Sequence, residues 1–515
     1  MATQWQTFPI EFKGGLISNL SPLQQGTNAV GSATTLQNFE VNKEGGYSKI
    51  RGYEKYSDTM VPGSGAVLGL KVISAGRLVV ARKNGSNLTQ WYYGTGSTWN
   101  SMATSATTNG GKARHAEYNL DGDSKVVFVD STNYPGVYNT SGNTFTYMDS
   151  TNSPDIEGAE YVAIFKNTAF YAKGNNVYFS APYTVDDFSS ANGAGVINVA
   201  QDVTGIVVFR EQLIIFTSDT IKRLTGNTAA DFTVAPITDK IGCINGDTIQ
   251  EVGGDIMYLA PDGIRLLSAT DRIGDFGLDI ASDTISKDAT SFLNSTPNYA
   301  SVLLREKAQY RIFAYVGSEQ AEVAKGLIAT KFVSQGATGI AWSSTFGIKA
   351  FIADSKYSGT QETISFANTD GYVYLMDTGS SFDGTPIEAV YETPYMPISD
   401  PQVRKTLYKM TLYAEPTGDM ELDINIKYDF GTTTNKGVIQ PPTQVISSTG
   451  ESVFTFGASN AVFGTATFGG ELDKVYNLQL IGSGKTMAIR VEDNSTNPTF
   501  TLDTALLEYN TNDRQ

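Results

Sequence analysis

A short two-stranded unit recurs along most of this 515-residue chain and limits the folds that it can adopt. Each copy has an apolar strand of about six residues, a polar turn and a second apolar strand. Asn84-Gly85, Asp262-Gly263 and Asp370-Gly371 stand at three of the turns and are expected to supply the positive-φ residues of tight hairpins. The clearest copies are residues 76–94, 168–182, 211–226, 254–268 and 363–377. The pattern predicts consecutive antiparallel hairpins.

The spacing of these hairpins indicates how they are arranged. Their centres lie near residues 85, 175, 219, 262 and 370, and the segments 125–139 and 299–317 fill the gaps near 130 and 315. A period of about 40–45 residues built from short strands is typical of a β-propeller, in which each repeat forms one blade. A series of unrelated β-sandwiches is the alternative that the same composition permits.

The rest of the chain departs from this period. Residues 1–60 hold only short strands and turns, which predicts an N-terminal arm packed on the β-propeller of residues 61–383. Residues 280–293 carry apolar side chains at near-helical spacing, which predicts one short inserted helix. Residues 384–515 have longer alternating strands around a Gly/Thr/Ser/Pro-rich stretch at 431–470, which predicts a C-terminal antiparallel β-sandwich with a long loop. The expected fold class is therefore all-β.

Composition excludes several classes of protein and site. The chain is 40% apolar with a net charge of −16, so a folded acidic protein is expected rather than a disordered one. One cysteine, Cys243, excludes an internal disulfide and a cysteine-based zinc or iron–sulfur site, and one histidine, His115, excludes a multi-histidine metal site. The first residues lack the features of a signal peptide, and no apolar run suits a membrane span. We expect a soluble, unexported protein without metal or cofactor.

The motif GSGKT at residues 482–486 resembles part of a phosphate-binding loop. Such a loop needs a glycine five positions before Gly484-Lys485 and a helix after the motif, but Gln479 occupies that first glycine position. The following residues, MAIRVED, alternate as a strand, so no helix N-terminus is available for a phosphate. The sequence predicts a hairpin turn here.

Nucleophilic catalysis has little support in the sequence. A serine or cysteine nucleophile commonly relies on a histidine base, and no G-x-S-x-G motif accompanies His115. Cys243 lies between apolar and glycine residues without a basic neighbour, which predicts a small buried side chain. His115 is predicted to be a blade-edge or turn residue.

Pairs of carboxylates are the remaining catalytic candidates, because glycoside hydrolysis needs only two of them. The pairs are Asp121/Asp123, Asp186/Asp187 and Asp275/Asp279. Aspartate is a common turn residue, so solvated loops are the default interpretation. A glycan-cleaving propeller would also place aromatic residues in its cleft, for which the candidates are Trp91, Trp99 and Trp342. We assign no catalytic, cofactor-binding or metal-ligating residue and expect no enzyme activity.

Several segments, taken in their order along the chain, resemble the nozzle proteins of short-tailed bacteriophages. The similar segments are residues 14–56, 116–139, 161–190, 204–227 and 240–268. They include an aromatic strand ending in Ser180-Ala181-Pro182, the Asp187-Phe188 turn, the strand end at residues 221–226 and the Asp262-Gly263-Ile264 hairpin. The resemblance spans about residues 14–270, whereas the C-terminal 130 residues are similar only in their general pattern of strands and turns.

The resemblance implies a virion structural protein, made in the host cytoplasm and located in the tail. Such a protein forms a ring, usually a homo-hexamer, below the portal and adaptor and extends the channel for DNA ejection. Its implied partners are further copies of itself, the tail adaptor, tail fibre or needle proteins and the genomic DNA in transit, with no membrane. A glycan-binding or glycan-cleaving propeller of a receptor-binding tail component is the alternative, and a host-derived propeller scaffold is a third.

Two features bear on such a ring. An acidic chain should let DNA slide without adhering, although Arg210, Lys222 and Arg223 could form a local basic collar. Near the N-terminus, apolar side chains alternate with polar ones at the positions Trp5, Phe8, Ile10 and Phe12. We expect this strand to pair with the C-terminal sandwich or with a neighbouring subunit. Deleting residues 1–13 is expected to leave the propeller folded but to weaken the ring or its docking.

Overall fold

The structure is a computed structural model that describes residues 5–105, 108–120, 122–151, 153, 155–268, 280–294, 298–316, 323–334, 337–431, 440–448 and 474–511. It is an all-β protein in which a β-propeller is joined to an antiparallel β-sandwich, as the sequence predicts. None of the helices in the described part of the chain combines the length and apolar character needed to cross a membrane.

The N-terminal residues form short elements that are distributed over several sheets. These elements are β1 (Gln6–Glu11), α1 (Pro22–Asn28), β2 (Thr35–Gln37), β3 (Phe39–Val41), β4 (Tyr47–Lys49) and β5 (Tyr53–Lys55). Strands of three residues are not stable alone, so the arm packs on the rest of the protein by adding strands to existing sheets. The helix α1, which the sequence pattern does not indicate, begins after the cap Ser21 with Pro22 in its first turn.

Consecutive sheets of three or four strands follow along the chain and surround one axis. The first four sheets are β6 (Ser64–Ser74), β7 (Arg77–Lys83), β8 (Thr89–Gly94) and β9 (Trp99–Ser105); β10 (Arg114–Tyr118), β11 (Lys125–Val129), β12 (Gly136–Asn139) and β13 (Thr144–Tyr147); β14 (Tyr161–Phe165), β15 (Thr168–Lys173), β16 (Asn176–Phe179) and β17 (Gly195–Asn198); and β18 (Val203–Phe209), β19 (Gln212–Thr217), β20 (Ile221–Thr225) and β21 (Thr233–Thr238). Short 3-10 helices lie at Ser190–Asn192 and Gly246–Thr248.

The remaining propeller strands complete the ring. They are β22 (Gln250–Val252), β23 (Asp255–Ala260) and β24 (Gly263–Leu266); then, after a 3-10 turn at Asp283–Ile285 and the helix α2 (Ser286–Asn294), β25 (Asn298–Leu304), β26 (Gln309–Val316), β27 (Val323–Ser334) and β28 (Ala337–Phe346); and finally β29 (Ile352–Ser358), β30 (Gln361–Ala367) and β31 (Val373–Met376). Every predicted hairpin centre falls within one of these sheets, and α2 confirms the predicted helix. The repeat in the sequence therefore corresponds to the radial sheets.

The turn chemistry agrees with the prediction at two of the three sites. Gly263 and Gly371 have positive φ, whereas the turn at Asn84-Gly85 places its positive φ at Asn87. In that turn the Asn84 side chain accepts hydrogen bonds from the backbone amides of Ser86 and Leu88, which is the local bonding that favours asparagine in turns. The prediction for Asn84-Gly85 is therefore wrong in its dihedral angles, although a turn is present.

The last blade is closed by a strand from the N-terminus. β5 pairs antiparallel with β31, with Tyr374 opposite Lys55 and Met376 opposite Tyr53. The chain supplies only β29, β30 and β31 to this sheet before it leaves the propeller. An unpaired edge would remain without β5, and pairing it with a strand from residues 1–60 removes that edge and ties the two ends of the propeller together.

The C-terminal residues form two sheets that pack face to face. Their strands are β32 (Ile387–Glu392), β33 (Lys405–Pro416), β34 (Met420–Tyr428), β35 (Gln444–Ser448), β36 (Val475–Gln479), β37 (Ser483–Gly484), β38 (Met487–Ser495) and β39 (Phe500–Thr511). Met410 and Leu507 of one sheet share a core with Ile424 and Ile489 of the other. Of the predicted long loop at 431–470, residues 432–439 and 449–470 lie outside the described residues, and β35 lies between them.

β1 pairs antiparallel with β39, from Gln6 opposite Tyr509 to Glu11 opposite Thr504. The predicted pairing with the C-terminal sandwich is therefore confirmed. Ile10 and Phe12 are fully buried, whereas Trp5 remains half exposed. A deletion of residues 1–13 would remove Ile10 and Phe12 from the sandwich core, so its effect would extend beyond assembly.

Candidate functional site at the propeller axis

The innermost strands of the propeller enclose a polar cavity of about 280 Å³ on its axis. Strands β6, β10, β14, β18, β22, β25 and β29 all contribute to the wall. The side chains with chemical potential are those of Lys112, Arg114, His115, Tyr161, Asp247 and Asp354. Inner strands converge on the axis of a propeller, so residues from distant parts of the chain meet here.

Asp247 is the centre of the first charged cluster in this cavity. Its carboxylate accepts a hydrogen bond from Arg114 Nε at 2.7 Å and lies 3.0 Å from Lys112 Nζ. Arg114 also stacks on the ring of Tyr161, with 4.3 Å between the guanidinium carbon and the ring centroid. The Ser301 hydroxyl donates to the Asp247 carbonyl oxygen. These contacts join four inner segments of the propeller that are far apart in the sequence.

The charges of Lys112 and Arg114 determine the protonation state of Asp247. Burial by itself raises the pKa of Asp247, but the Lys112 and Arg114 charges outweigh burial and lower it to about 2. Burial lowers the pKa of Lys112, and the Asp247 charge only partly offsets that effect. Burial also raises the pKa of Tyr161 to about 12. Asp247 is therefore an anion at neutral pH and is not suited to donate a proton as a general acid.

A second cluster surrounds Asp354 on β29. Lys71 Nζ lies 3.2 Å from Asp354 Oδ2 and 2.8 Å from Glu117 Oε1, and His115 Nε2 lies 3.6 Å from Asp354 Oδ1. The backbone amide of Val72 donates to Asp354. Burial and the Lys71 charge lower the pKa of His115, so its imidazole is neutral at neutral pH. This cluster connects β6, β10 and β29.

Of the single cysteine and the single histidine, Cys243 does not line the cavity, whereas His115 does. Cys243 is buried as predicted, its Sγ lies 3.2 Å from the Asn245 carbonyl oxygen, and burial raises the pKa of its thiol to about 12. His115 lies on β10, the inner edge strand of its sheet, in agreement with the blade-edge alternative. Its position within a charged cluster is not indicated by the sequence.

The GSGKT segment does not have the geometry of a phosphate site. Residues Ser483–Gly484 form β37, and the next residues lead into the strand β38. The Asp429 carboxylate accepts hydrogen bonds from the backbone amides of Lys485 and Thr486 at 2.7 and 2.9 Å. The backbone amides that a phosphate would need are therefore already bound to a carboxylate. The prediction of a turn between strands is confirmed.

Those carboxylate and tryptophan candidates that the structure describes do not share a common set of contacts. Asp187 accepts hydrogen bonds from the Ser189 amide and the Asn192 side chain within its own loop. Asp121, Asp275 and Asp279 lie outside the described residues. Each tryptophan packs in a different place: Trp91 stacks on Phe145, Trp99 donates to the Thr59 carbonyl oxygen and Trp342 donates to the Ala281 carbonyl oxygen.

The residues of the suggested basic collar contact different parts of the chain. Arg210 is exposed at the β18–β19 turn and donates to the Gly254 carbonyl oxygen, whereas Lys222 donates to the Val199 carbonyl oxygen. Arg223 lies beside Lys222 on β20, opposite Ile214 of β19.

No sequence motif indicates the axial residues Lys71, Lys112, Arg114, Asp247 and Asp354. The one signal in the sequence is that charged residues stand in or just before the first strand of several repeats.

Comparison with known proteins gives fold-level likenesses only. No family model and no curated protein matches the chain. An exo-β-1,3-galactanase from Phanerochaete chrysosporium is 11% identical with a TM-score of 0.26, covering 89% of this chain and 100% of that one. The extracellular domain of a hybrid two-component system from B. thetaiotaomicron is 11% identical with a TM-score of 0.38, covering 63% of this chain and 41% of that one.

A surface component of the type-IX secretion system of Porphyromonas gingivalis is 10% identical with a TM-score of 0.35. It matches over 69% of this chain and 45% of its own length. This chain thus spans less than half of the two bacterial proteins. Similarities at this level assign neither a substrate nor a partner, so function has to be inferred from the residues of this chain.

Proposed function

We propose that this chain is a structural protein of a short-tailed phage virion, a subunit of the nozzle ring that extends the DNA-ejection channel below the portal and adaptor. The ordered segments of residues 14–270 that resemble nozzle proteins support this role. The acidic composition, with 53 acidic and 37 basic residues, supports a surface along which DNA passes without adhering.

The observation that carries the proposal is the continuous sheet between the two parts of the protein. β2 pairs with β28 of the propeller on one side and with β32 of the sandwich on the other. A sheet of nine strands therefore runs from the propeller into the sandwich. Such a connection resists hinge motion between the two parts, which suits a load-bearing ring subunit better than an enzyme that opens and closes around a substrate.

The axial cavity indicates where DNA would travel in such a ring. Ion pairs around Asp247 and Asp354 connect the inner strands across the axis, and the space of about 280 Å³ among them is far too small for a duplex. DNA would therefore pass along a channel enclosed by several subunits. The propeller of each subunit would form part of the wall of that channel, with no DNA passing through the propeller itself.

The mass of the purified particle tests the ring. We expect multi-angle light scattering to give a closed assembly of several chains, with six as the expected number, since heterologous contacts close into rings. A hexamer should persist on dilution and bind the cognate tail adaptor. A monomer at all concentrations, with or without adaptor, would contradict the proposal.

We expect the assembled protein to bind duplex DNA weakly and without sequence preference at physiological salt. Binding of DNA relies on cations that neutralise phosphates, and the net charge of −16 provides few of them. Mobility-shift titration at two salt concentrations measures this. A sub-micromolar dissociation constant for duplex DNA at physiological salt would contradict a channel surface along which DNA passes without adhering.

The alternative, a glycan-binding or glycan-cleaving propeller, is tested by hydrolysis. We expect no release of reducing ends from a panel of polysaccharides, because Asp187 is engaged in its own loop and Asp247 is held by two cations. If activity is found, Asp186→Asn and Asp187→Asn should be compared with Asp419→Asn, an exposed control. Activity that the first two variants abolish and the control retains would favour the alternative.

A further inference from the structure

The axial cavity retains polar atoms that the protein itself leaves unused. The Tyr161 hydroxyl has no hydrogen-bond partner among the described residues, although its ring is packed against Arg114. Lys112 Nζ donates to the Tyr299 carbonyl oxygen, pairs with Asp247 and lies 5.6 Å from the centroid of the Phe351 ring, so its third N–H group has no oxygen acceptor in the described chain. Both donors belong to side chains that line this cavity.

The cavity also has an unused acceptor and enough room for a small molecule. The Gln250 amide nitrogen donates to Ser301, and within the described residues its Oε1 atom accepts nothing. The volume of about 280 Å³ greatly exceeds the roughly 30 Å³ that one water molecule occupies in the liquid. A cavity with two free donors and one free acceptor suits a hydroxylated molecule.

The charges select the ionic state of such a molecule. Lys112 and Arg114 share the single carboxylate of Asp247, and the Glu160 carboxylate interacts with the Arg114 charge at longer range, since Arg114 donates only to the Glu160 carbonyl oxygen. Lys112 is therefore the cation beside which an anionic group of a ligand would bind. Inorganic phosphate carries an anionic group but no carbon frame with hydroxyl groups, so it tests whether negative charge alone is sufficient for binding.

We infer that the axial cavity binds a small hydroxylated carboxylate. One carboxylate oxygen accepts from the free N–H of Lys112 and the other from the Tyr161 hydroxyl, while a hydroxyl group of the ligand donates to Gln250 Oε1. Both donors were already positioned by Asp247 and Arg114, so little ordering is needed on binding. This site is independent of ring formation, because all of its residues come from one chain.

Calorimetric titration of the full chain tests the inference, with glucuronate as the probe and glucose and inorganic phosphate as comparison compounds. We expect glucuronate to bind and both comparison compounds to bind at least tenfold more weakly. Tyr161→Phe removes only an unbonded hydroxyl, so the variant should fold normally and lose about tenfold in affinity. Tyr183→Phe, which alters an exposed tyrosine on another loop, should bind like the wild type.

Three results would overturn the inference. They are no heat with glucuronate, equal binding of glucose or phosphate, and unchanged affinity in Tyr161→Phe. A thermal-unfolding midpoint that is the same for Tyr161→Phe and wild type without ligand shows that any loss of affinity comes from the missing hydroxyl. Gln250→Leu provides a second test, with weaker binding of glucuronate expected.

Discussion

Replacing Asp247 with alanine is expected to lower the free energy of unfolding by about 3–5 kcal/mol, because it leaves two buried cations without their counter-charge. Lys112 and Arg114 both bind this carboxylate, and Asp247 itself is only 12% exposed. The loss should appear as a lower midpoint in urea with little change in the slope. Asp419→Asn, at an exposed position, is the control and should stay close to wild type.

We also expect the stability difference between the wild type and Asp247→Ala to depend on pH. The pKa of Asp247 falls from 3.8 to about 2 in the folded protein, so its stabilising contribution is complete above the pKa of the unfolded chain. That contribution is lost as the pH falls from about 4 through about 2. The difference in stability between wild type and Asp247→Ala should therefore narrow over this range. A difference that stays constant would show that Asp247 acts through packing rather than charge.

Replacing Lys49 alone with methionine is expected to destabilise the protein by a similar amount, about 3–5 kcal/mol. Lys49 Nζ lies 2.9 Å from Asp493 Oδ2, and both side chains are completely buried. Lys49 also donates to the carbonyl oxygens of Ser495 and Asn497. The single replacement leaves the Asp493 carboxylate buried without a cation, between the two sheets of the sandwich.

The double variant Lys49→Met/Asp493→Leu separates charge from packing. Apolar side chains of similar size often replace a buried ion pair without loss, so most of the stability should return. Urea unfolding of the wild type, both single variants and the double variant completes the thermodynamic cycle. A double variant as unstable as Lys49→Met would show that the backbone contacts of Lys49, rather than the unpaired charge, are decisive.

The local features of the fold follow from the sequence. Alternating apolar residues and turn-forming residues predict a hairpin at each repeat, and the structure has a sheet at every one of these positions. Near-helical spacing of Ile285, Ala289 and Phe292 predicts α2, and all three side chains are buried, with Ile285 in the 3-10 turn that precedes the helix. Longer alternation after residue 384 predicts the sandwich strands. These features are accessible because hairpins and helices depend on residues close together in the chain.

Some local expectations failed where more than one residue type can satisfy a turn. Hairpins at Lys166-Asn167 and Arg210-Glu211 have positive φ at both central residues without any glycine. Side-chain bonding at Asn84 likewise shifted the left-handed residue to Asn87. Glycine is a sufficient signal for such a turn but not a necessary one, so a pattern based on Asn-Gly or Asp-Gly misses these cases.

The sequence by itself determined the class of the fold, the positions of its hairpins and the absence of known catalytic motifs. Only the tertiary structure decided which edge β5 closes, that β2 joins propeller to sandwich and that Lys71, Lys112, Arg114, Asp247 and Asp354 surround the axis. Lys49 and Asp493 are separated by 444 positions. No periodicity relates residues so far apart, because their contact arises only when the ring of blades closes and the two ends of the chain meet in one core.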